Sequence, residues 1–318
     1  GPDAALGINI KNGVQLAVDK HNAANPGCQV QLKTFDTEGD PQKATAIAPQ
    51  IVDDAFTIGL VGPAFSGETK ATGSVFDQAG LVAATASATN VTLSEQGWKT
   101  FFRGLANDGV QGPSVANYLK NTIGDKKVCV VDDSTDYGTG LAQAVRETLG
   151  PVAVSDCNIS VKKGDKDFSA AVTQVKGQSP DSVFYSGYYS EAAPFVQQLR
   201  DGGYTGKFVS ADGTKDPEFV KQAGQSSKDA ILSCPCGPAT GSFADEYTKK
   251  FSQPPGTYST EGYDLGTILL KGIDSGAITR PALLDYVKKY DGQGVARKYQ
   301  WTDKGELTTT LIWIYKVQ

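Results

Sequence analysis

Methionine is absent from the 318 residues, histidine occurs once, as His21, and no stretch approaches the roughly 18 consecutive apolar residues that a membrane-crossing helix needs. Each absence removes a class of function. Histidine is the usual general base and the commonest metal ligand near neutral pH, so a hydrolase triad or a multi-histidine metal site would have to be assembled around one imidazole. Positive charge is short as well: 30 Lys and Arg against 35 Asp and Glu give a net charge of −5, with no basic stripe to track a phosphate backbone. Composition thus argues against nucleic acid as a partner. Cysteines are few and odd in number, at positions 28, 129, 157, 234 and 236, without the paired C-x-x-C spacing of a structural zinc site. At least one stays free or pairs outside the chain. One or two disulfides would suit an oxidising compartment, and five buried thiols a reducing one. Without methionine, Gly1 is not a retained initiator, and a processed or trimmed chain is expected.

The length, at roughly 100–200 residues per domain, sets an expectation of two domains, each able to bury a core. Short β-rich runs alternate with amphipathic stretches, and buried strands are expected at 29–35, 57–61, 81–85, 127–131, 151–157, 182–186, 207–211 and 230–234. Between them apolar residues recur at helical period: Ile10, Val14, Ala17 and Val18; Ile47, Ile51 and Val52; Leu141, Val145 and Leu149; Phe168, Val172 and Val175; Phe195 and Leu199. A βαβα order implies parallel sheets with helices on both faces. The units fall into two clusters, one before about Asn107 and one between about Gly112 and Cys236. After Pro238 come helical segments through Phe243, Tyr247 and Phe251, at 263–273 and at 281–290, then a turn at Asp303-Lys304-Gly305 and a last strand at 309–317.

In open parallel sheets ligands bind beyond the carboxyl ends of the strands, where helix N-termini and loop amides face the crevice. The polar loops of this chain recur there. Ser66 follows the 57–61 strand and Ser87, Ala88, Thr89 and Asn90 follow 81–85; in the second cluster Tyr137, then Tyr188 and Tyr189, then Asp212 follow three further strands. The first set offers hydroxyls and amides leading into helices, the chemistry a carboxylate needs, and the second an acid and aromatic rings. Together they would hold a zwitterion, with its carboxylate on Ser66, Ser87 and Thr89 and its ammonium on Asp212 beside a tyrosine ring. Any one of these residues is also an ordinary helix cap or strand-end residue. The convergence of five such loops carries the reading.

Other motifs do not. Ser66 lies in Ala64-Phe-Ser-Gly-Glu68, which lacks the glycines of a nucleophile elbow and has no downstream histidine. Neither G-x-G-x-x-G after a strand nor G-x-x-x-x-G-K-[ST] occurs, so dinucleotide and P-loop chemistry lack their signatures. His21 continues the stripe of Val14, Ala17 and Val18 and reads as a partly buried helix residue, and Cys234-Pro-Cys236 as a structural strand end. No catalytic residue, metal site or cofactor is expected.

Val61-Gly-Pro-Ala-Phe-Ser-Gly-Glu-Thr69, Ser87-Ala-Thr-Asn90, Asp136-Tyr-Gly-Thr-Gly140, Lys166-Asp-Phe-Ser169, Tyr185-Ser-Gly-Tyr-Tyr189 and Gly262-Tyr-Asp264, in this order, resemble the branched-chain (leucine/isoleucine/valine-type) amino-acid solute-binding proteins of ABC importers. The resemblance spans essentially the whole chain. It implies the type I periplasmic-binding-protein fold, two parallel-sheet α/β lobes joined by a three-stranded hinge, with lobe 1 at 1–107 plus 238–301 and lobe 2 at 108–237 plus 302–318. It assigns Ser66, Ser87, Ala88 and Thr89 to the ligand α-carboxylate, Asp212 to the α-ammonium, and Tyr137 and Tyr188 to closure from the second lobe. Tyr258, Leu6 and Phe65 would line the side-chain pocket. Two departures alter that pocket: Leu6 replaces what is often an aromatic ring, and Phe65 a cysteine found in some members, which leaves the disulfide pairing open. Gly1-Pro2-Asp3 resembles the loop after the family's first strand, so a strand upstream of Gly1 is expected.

The function implied is a non-enzymatic extracytoplasmic receptor, monomeric, periplasmic or lipid-anchored, that closes on a neutral, branched-chain or hydrophobic amino acid and presents it to an ABC permease. None of the matched positions is an Arg or Lys that would clamp a second carboxylate. Rivals of the same fold are a binder of amides, urea or aromatic acids, which would not need Asp212, and a ligand-sensing regulatory domain. An α/β enzyme would need His21.

Overall fold

The computed structural model describes residues 1–318, which divide into two compact units, Gly1–Ala106 with Cys236–Leu311 and Asn107–Pro235 with Ile312–Gln318. The chain therefore passes between the units three times, and none of the three passages lies within a strand.

The first unit opens with α1 (Ala4–Ala24), whose buried stripe of Leu6, Ile10, Val14, Ala17 and Val18 runs on to His21. Helix α2 (Pro41–Asp53) begins where Asp40 accepts the Gln42 amide at 2.7 Å and Pro41 takes the first helical position, which needs no amide donor. A three-stranded parallel sheet follows, β1 (Gly59–Val61), β2 (Val82–Thr85) and β3 (Phe101–Arg103) in that order, with α3 (Ser66–Gln78) between the first two. The strand expected at 29–35 does not form. A parallel strand exists only by pairing with a neighbour, and β1 pairs with β2 alone. Between residues 29–39 and β1 lies a cavity of about 970 Å³, lined also by α1 and by apolar residues such as Ile51 and Leu269.

The second unit carries α4 (Asp108–Asn117), β4 (Val128–Asp132), α5 (Asp136–Leu149), β5 (Ala153–Ser160), α6 (Ser169–Gln178), β6 (Ser182–Ser186), α7 (Tyr189–Asp201), β7 (Lys207–Ser210), α8 (Pro217–Ala223) and β8 (Ile231–Cys234). Strands β4 and β6 are buried at every position, because helices cover both faces of the parallel sheet. A disulfide joins Cys129 on β4 to Cys157 on the adjacent β5; Cys234 and Cys236 are disulfide-bonded as well, which leaves Cys28 as the free thiol.

Back in the first unit, α9 (Gly241–Phe251), α10 (Ser259–Asp274) and α11 (Arg280–Lys288) precede a hairpin of β9 (Asp291–Gln293) and β10 (Lys298–Gln300). Helix α10 packs closely on α1 because Gly13 and Gly262 carry no side chain: a β-carbon on Gly13 would strike the Ser259 carbonyl, and one on Gly262 would lie 2.6 Å from the Ile10 carbonyl oxygen. The last strand, β11 (Trp313–Lys316), adds antiparallel to β8 and completes the order β11-β8-β7-β6-β4-β5. Residues 302–311, expected in the second lobe, belong to the first unit. Their turn is bonded to β3: the Arg103 amide donates to the Gly305 carbonyl at 2.8 Å, and Glu306 pairs with the Arg103 guanidinium. No helix is long and apolar enough to cross a membrane.

Candidate functional site

In the first unit the candidate residues gather at the carboxyl ends of β1 and β2. Thr85, the last residue of β2, donates its hydroxyl to the Pro63 carbonyl at 2.8 Å and accepts the Ala88 amide at 2.9 Å, so one side chain ties the two strand-end loops together. Ser87 donates its hydroxyl to the Ala64 carbonyl. Ser66 opens α3, 1 % exposed, and its Oγ accepts the amides of both Thr89 and Asn90 at 3.2 Å. An oxygen that accepts twice still has its own proton to donate. The Thr89 hydroxyl is fully buried and has no hydrogen-bond partner, a situation that costs about 1–3 kcal/mol and so calls for an explanation. Ser66 and Thr89 thus present hydroxyl donors beside the positive end of a helix, an arrangement that binds a carboxylate.

Sequence reasoning missed what holds this turn. Arg103 on β3 is 0 % exposed, donates to the Ala88 carbonyl at 2.6 Å, pairs with Glu306 at 2.7 Å and lies 5.2 Å over the Phe101 ring. The available signal was a lone charge in the apolar run Phe101-Phe-Arg-Gly-Leu105. Of the expected pocket residues, Phe65 precedes α3, donates its amide to Glu68 at 3.1 Å and lines the 970 Å³ cavity. Leu6 and Tyr258 are placed by a different pair of elements, α1 and the start of α10, and both are buried. Tyr258 has φ of +71°, in the left-handed region that bulky side chains avoid, a strain that clusters at binding sites.

Replacing Thr89 with the isosteric valine removes the orphan hydroxyl. Thr89→Val is expected to raise the ligand-free protein's melting temperature by a few degrees, the equivalent of about 1 kcal/mol, while weakening ligand binding about tenfold. Calorimetry on the free and ligand-bound variant reads both changes; a variant destabilised when ligand-free would deny that the hydroxyl is held for a ligand.

In the second unit Asp212 follows β7 and is 1 % exposed. Its Oδ1 accepts the Tyr137 hydroxyl and the Gln111 Nε2, each at 2.9 Å. Tyr137, in the first turn of α5, accepts the Gly213 amide at 3.1 Å and packs its ring 5.1 Å from that of Tyr188. Gly213 leaves room for this: a β-carbon there would sit 2.7 Å from both the Gly187 carbonyl oxygen and the Tyr137 ring. Gln111, on α4, also bonds Ser233 at 3.1 Å; it too was not anticipated, since nothing local marks an amide 101 positions from the acid it holds. Three of the expected residues, Asp212, Tyr137 and Tyr188, are brought together here. A buried carboxyl group whose one oxygen is held by two neutral donors is a fixed acceptor for a cationic group, and tyrosine faces add cation–π attraction. Lys163 already lies over Tyr188, 4.4 Å from the ring centre.

Asp133, which directly follows β4, is an acid of this unit pushed upward by burial. Burial pushes its carboxyl from the ordinary 3.8 up to about 7, against the downward pull of the Thr135 amide and hydroxyl and of Lys163. The folded state therefore binds more protons than the unfolded chain between about pH 4 and 7, and the stability this contributes at low pH is lost as pH rises through about 7. The interval corresponds to about 4 kcal/mol. Asp133→Asn abolishes the titration, so wild-type stability is expected to fall relative to the variant between pH 4.5 and 8. Denaturant melts at the two pH values check this, and parallel behaviour would contradict it.

One unit presents hydroxyl donors at a helix N-terminus, the other a buried acid among tyrosines, and the single imidazole bonds Asp274 rather than any of these groups. These features define a small-molecule binding protein built from two α/β units. The chain belongs to the periplasmic binding protein family, whose sequence model matches residues 1–318. It is similar to an amino acid binding protein of Pseudomonas aeruginosa, 30 % identical over 99 % of this chain and 87 % of that one, and to the Leu/Ile/Val-binding protein of Escherichia coli, 27 % identical over 96 % and 85 %. Among solved structures it resembles the branched-chain amino acid transporter substrate binding protein LivJ from Streptococcus pneumoniae in complex with isoleucine, with a TM-score of 0.89 and 27 % identity over 99 % of this chain and 96 % of that one. The type I periplasmic-binding-protein fold expected from the sequence is the fold observed.

Proposed function

We propose that this chain is an extracytoplasmic receptor, without catalytic activity, that binds a neutral amino acid with a branched aliphatic side chain and delivers it to the permease of an ABC importer. Ser66, Thr89 and the 87–89 backbone are assigned to the α-carboxylate, and Asp212, Tyr137 and Tyr188 to the α-ammonium. Leu6, Phe65 and Tyr258 supply an uncharged surface for the side chain. The observation that carries the reading is Asp212, a buried carboxyl group with one oxygen held by Tyr137 and Gln111 beside the Tyr137 and Tyr188 rings, the combination of acceptor and aromatic faces that suits an ammonium. The relatives named for leucine, isoleucine and valine support the side-chain class.

The test is isothermal titration of protein that has been unfolded and refolded to strip carried-over ligand, against the twenty amino acids, urea and benzoate. Saturable heat with leucine, isoleucine or valine at a Kd of about 1 μM or below, about −8.2 kcal/mol, is expected. Heat with urea or benzoate and none with any amino acid would replace this function with amide or aromatic-acid binding.

A further inference from the structure

We infer that His21, Cys28 and Asp274 form a metal site of the zinc class on the first unit, separate from the residues assigned to the amino acid. His21 comes from the last turn of α1, Asp274 is the last residue of α10, and Cys28 is returned to them by the turn that follows α1. The imidazole Nε2 lies 2.8 Å from Asp274 Oδ1, and the Cys28 sulfur joins both so that the three ligating atoms all fall within 4.8 Å of one another. Ligand atoms on a tetrahedral zinc ion, at bond lengths of about 2.0–2.3 Å, are separated by roughly 3.3–3.8 Å, which this cluster reaches by small side-chain adjustments.

The surroundings are built as well as placed. The turn is pinned to the helix end, where the Asn25 amide donates to the His21 carbonyl and the Cys28 amide to the Asn25 carbonyl, both at 2.9 Å. Asn22 bonds the Val30 backbone in both directions, donating through Nδ2 at 2.9 Å and accepting through Oδ1 at 2.8 Å. These two bonds fix which way its amide points. The oxygen is therefore the atom 3.3 Å from His21 Nδ1, so Nδ1 carries a proton and Nε2 is left facing the Asp274 carboxylate. An oxygen hydrogen-bonded to the far nitrogen is the usual way a metal-binding histidine is oriented.

The Cys28 sulfur beside that nitrogen selects the metal. Nitrogen, sulfur and one carboxylate oxygen suit Zn²⁺ rather than Mg²⁺ or Ca²⁺, and the Asp274 side chain, 41 % exposed, leaves the fourth position to water. Cys28 is also the one cysteine of the five kept out of a disulfide.

The full chain is titrated with ZnCl₂ against a chromophoric competitor, and in parallel with Co²⁺ while the visible spectrum is recorded. One ion per chain is expected, with a thiolate-to-cobalt charge-transfer band. Cys28→Ser should abolish the band and weaken zinc at least tenfold, and Asp274→Asn should weaken zinc about tenfold with the band retained. Both positions are partly exposed, so these variants fold, and leucine affinity should be unchanged in each. Absence of stoichiometric zinc, or equal zinc affinity in wild type and both variants, would overturn the site, and neither result bears on amino-acid binding.

Discussion

Asp212→Asn is expected to weaken binding of a branched-chain amino acid at least a hundredfold while leaving the fold intact. Asparagine has the size of aspartate, and its side-chain oxygen can keep both bonds to Oδ1, from the Tyr137 hydroxyl and from Gln111 Nε2, so the local packing survives. What is lost is the charge. An ammonium carried into a buried site without its counter-charge keeps its desolvation cost and loses its attraction, a change of about 3–5 kcal/mol, of which a hundredfold in Kd uses about 2.8 kcal/mol. Tyr137→Phe removes one neutral donor from the same oxygen and should cost about tenfold. Titration calorimetry measures both variants and thermal melts confirm folding. Unchanged affinity in Asp212→Asn would mean that the ligand bears no ammonium at this position.

The second large effect falls on stability. Arg103→Met takes the buried guanidinium away from the Glu306 carboxylate and releases the Ala88 carbonyl, groups it holds at 2.7 and 2.6 Å. Removing one partner of a buried ion pair costs about 3–5 kcal/mol; the Glu306 side chain is 20 % exposed, which places the expected loss near about 3 kcal/mol. For a unit of this size that lowers the melting temperature by about 6–12 °C. Ligand affinity falls too, since the Ser87–Thr89 turn loses its anchor. The double variant Arg103→Met, Glu306→Met should recover part of the stability and none of the affinity. A single variant that melts within a degree of wild type would contradict the role given to this pair.

The second unit was the more legible half of the chain. Strands such as β4 and β6, buried on both faces, appear in the sequence as short unbroken apolar runs, whereas β3 is three residues long and carries Arg103. Segment 29–35 has strand composition and still makes no ladder, because composition cannot supply a neighbour. The rule that polar loops gather at the carboxyl ends of parallel strands placed Ser66, Thr89, Tyr137 and Asp212 beyond β1, β2, β4 and β7, where the structure has them. It could not reveal Gln111 or Arg103, whose roles depend on bonds spanning 101 and 203 positions. It also credited Ser87 with a hydroxyl contact to ligand, but that proton is committed to the Ala64 carbonyl. The cysteines were legible only as an odd count; adjacency of β4 and β5 is what pairs Cys129 with Cys157.

Recognition of both charges of one amino acid is most directly tested by titrating the ligand-stripped protein with leucine, with 4-methylpentanoate, which lacks the ammonium, and with isoamylamine, which lacks the carboxylate. The zwitterion site predicts saturable binding of leucine and a loss of at least a hundredfold for each of the other two. Binding of 4-methylpentanoate with the affinity of leucine would contradict it and remove Asp212 from the site.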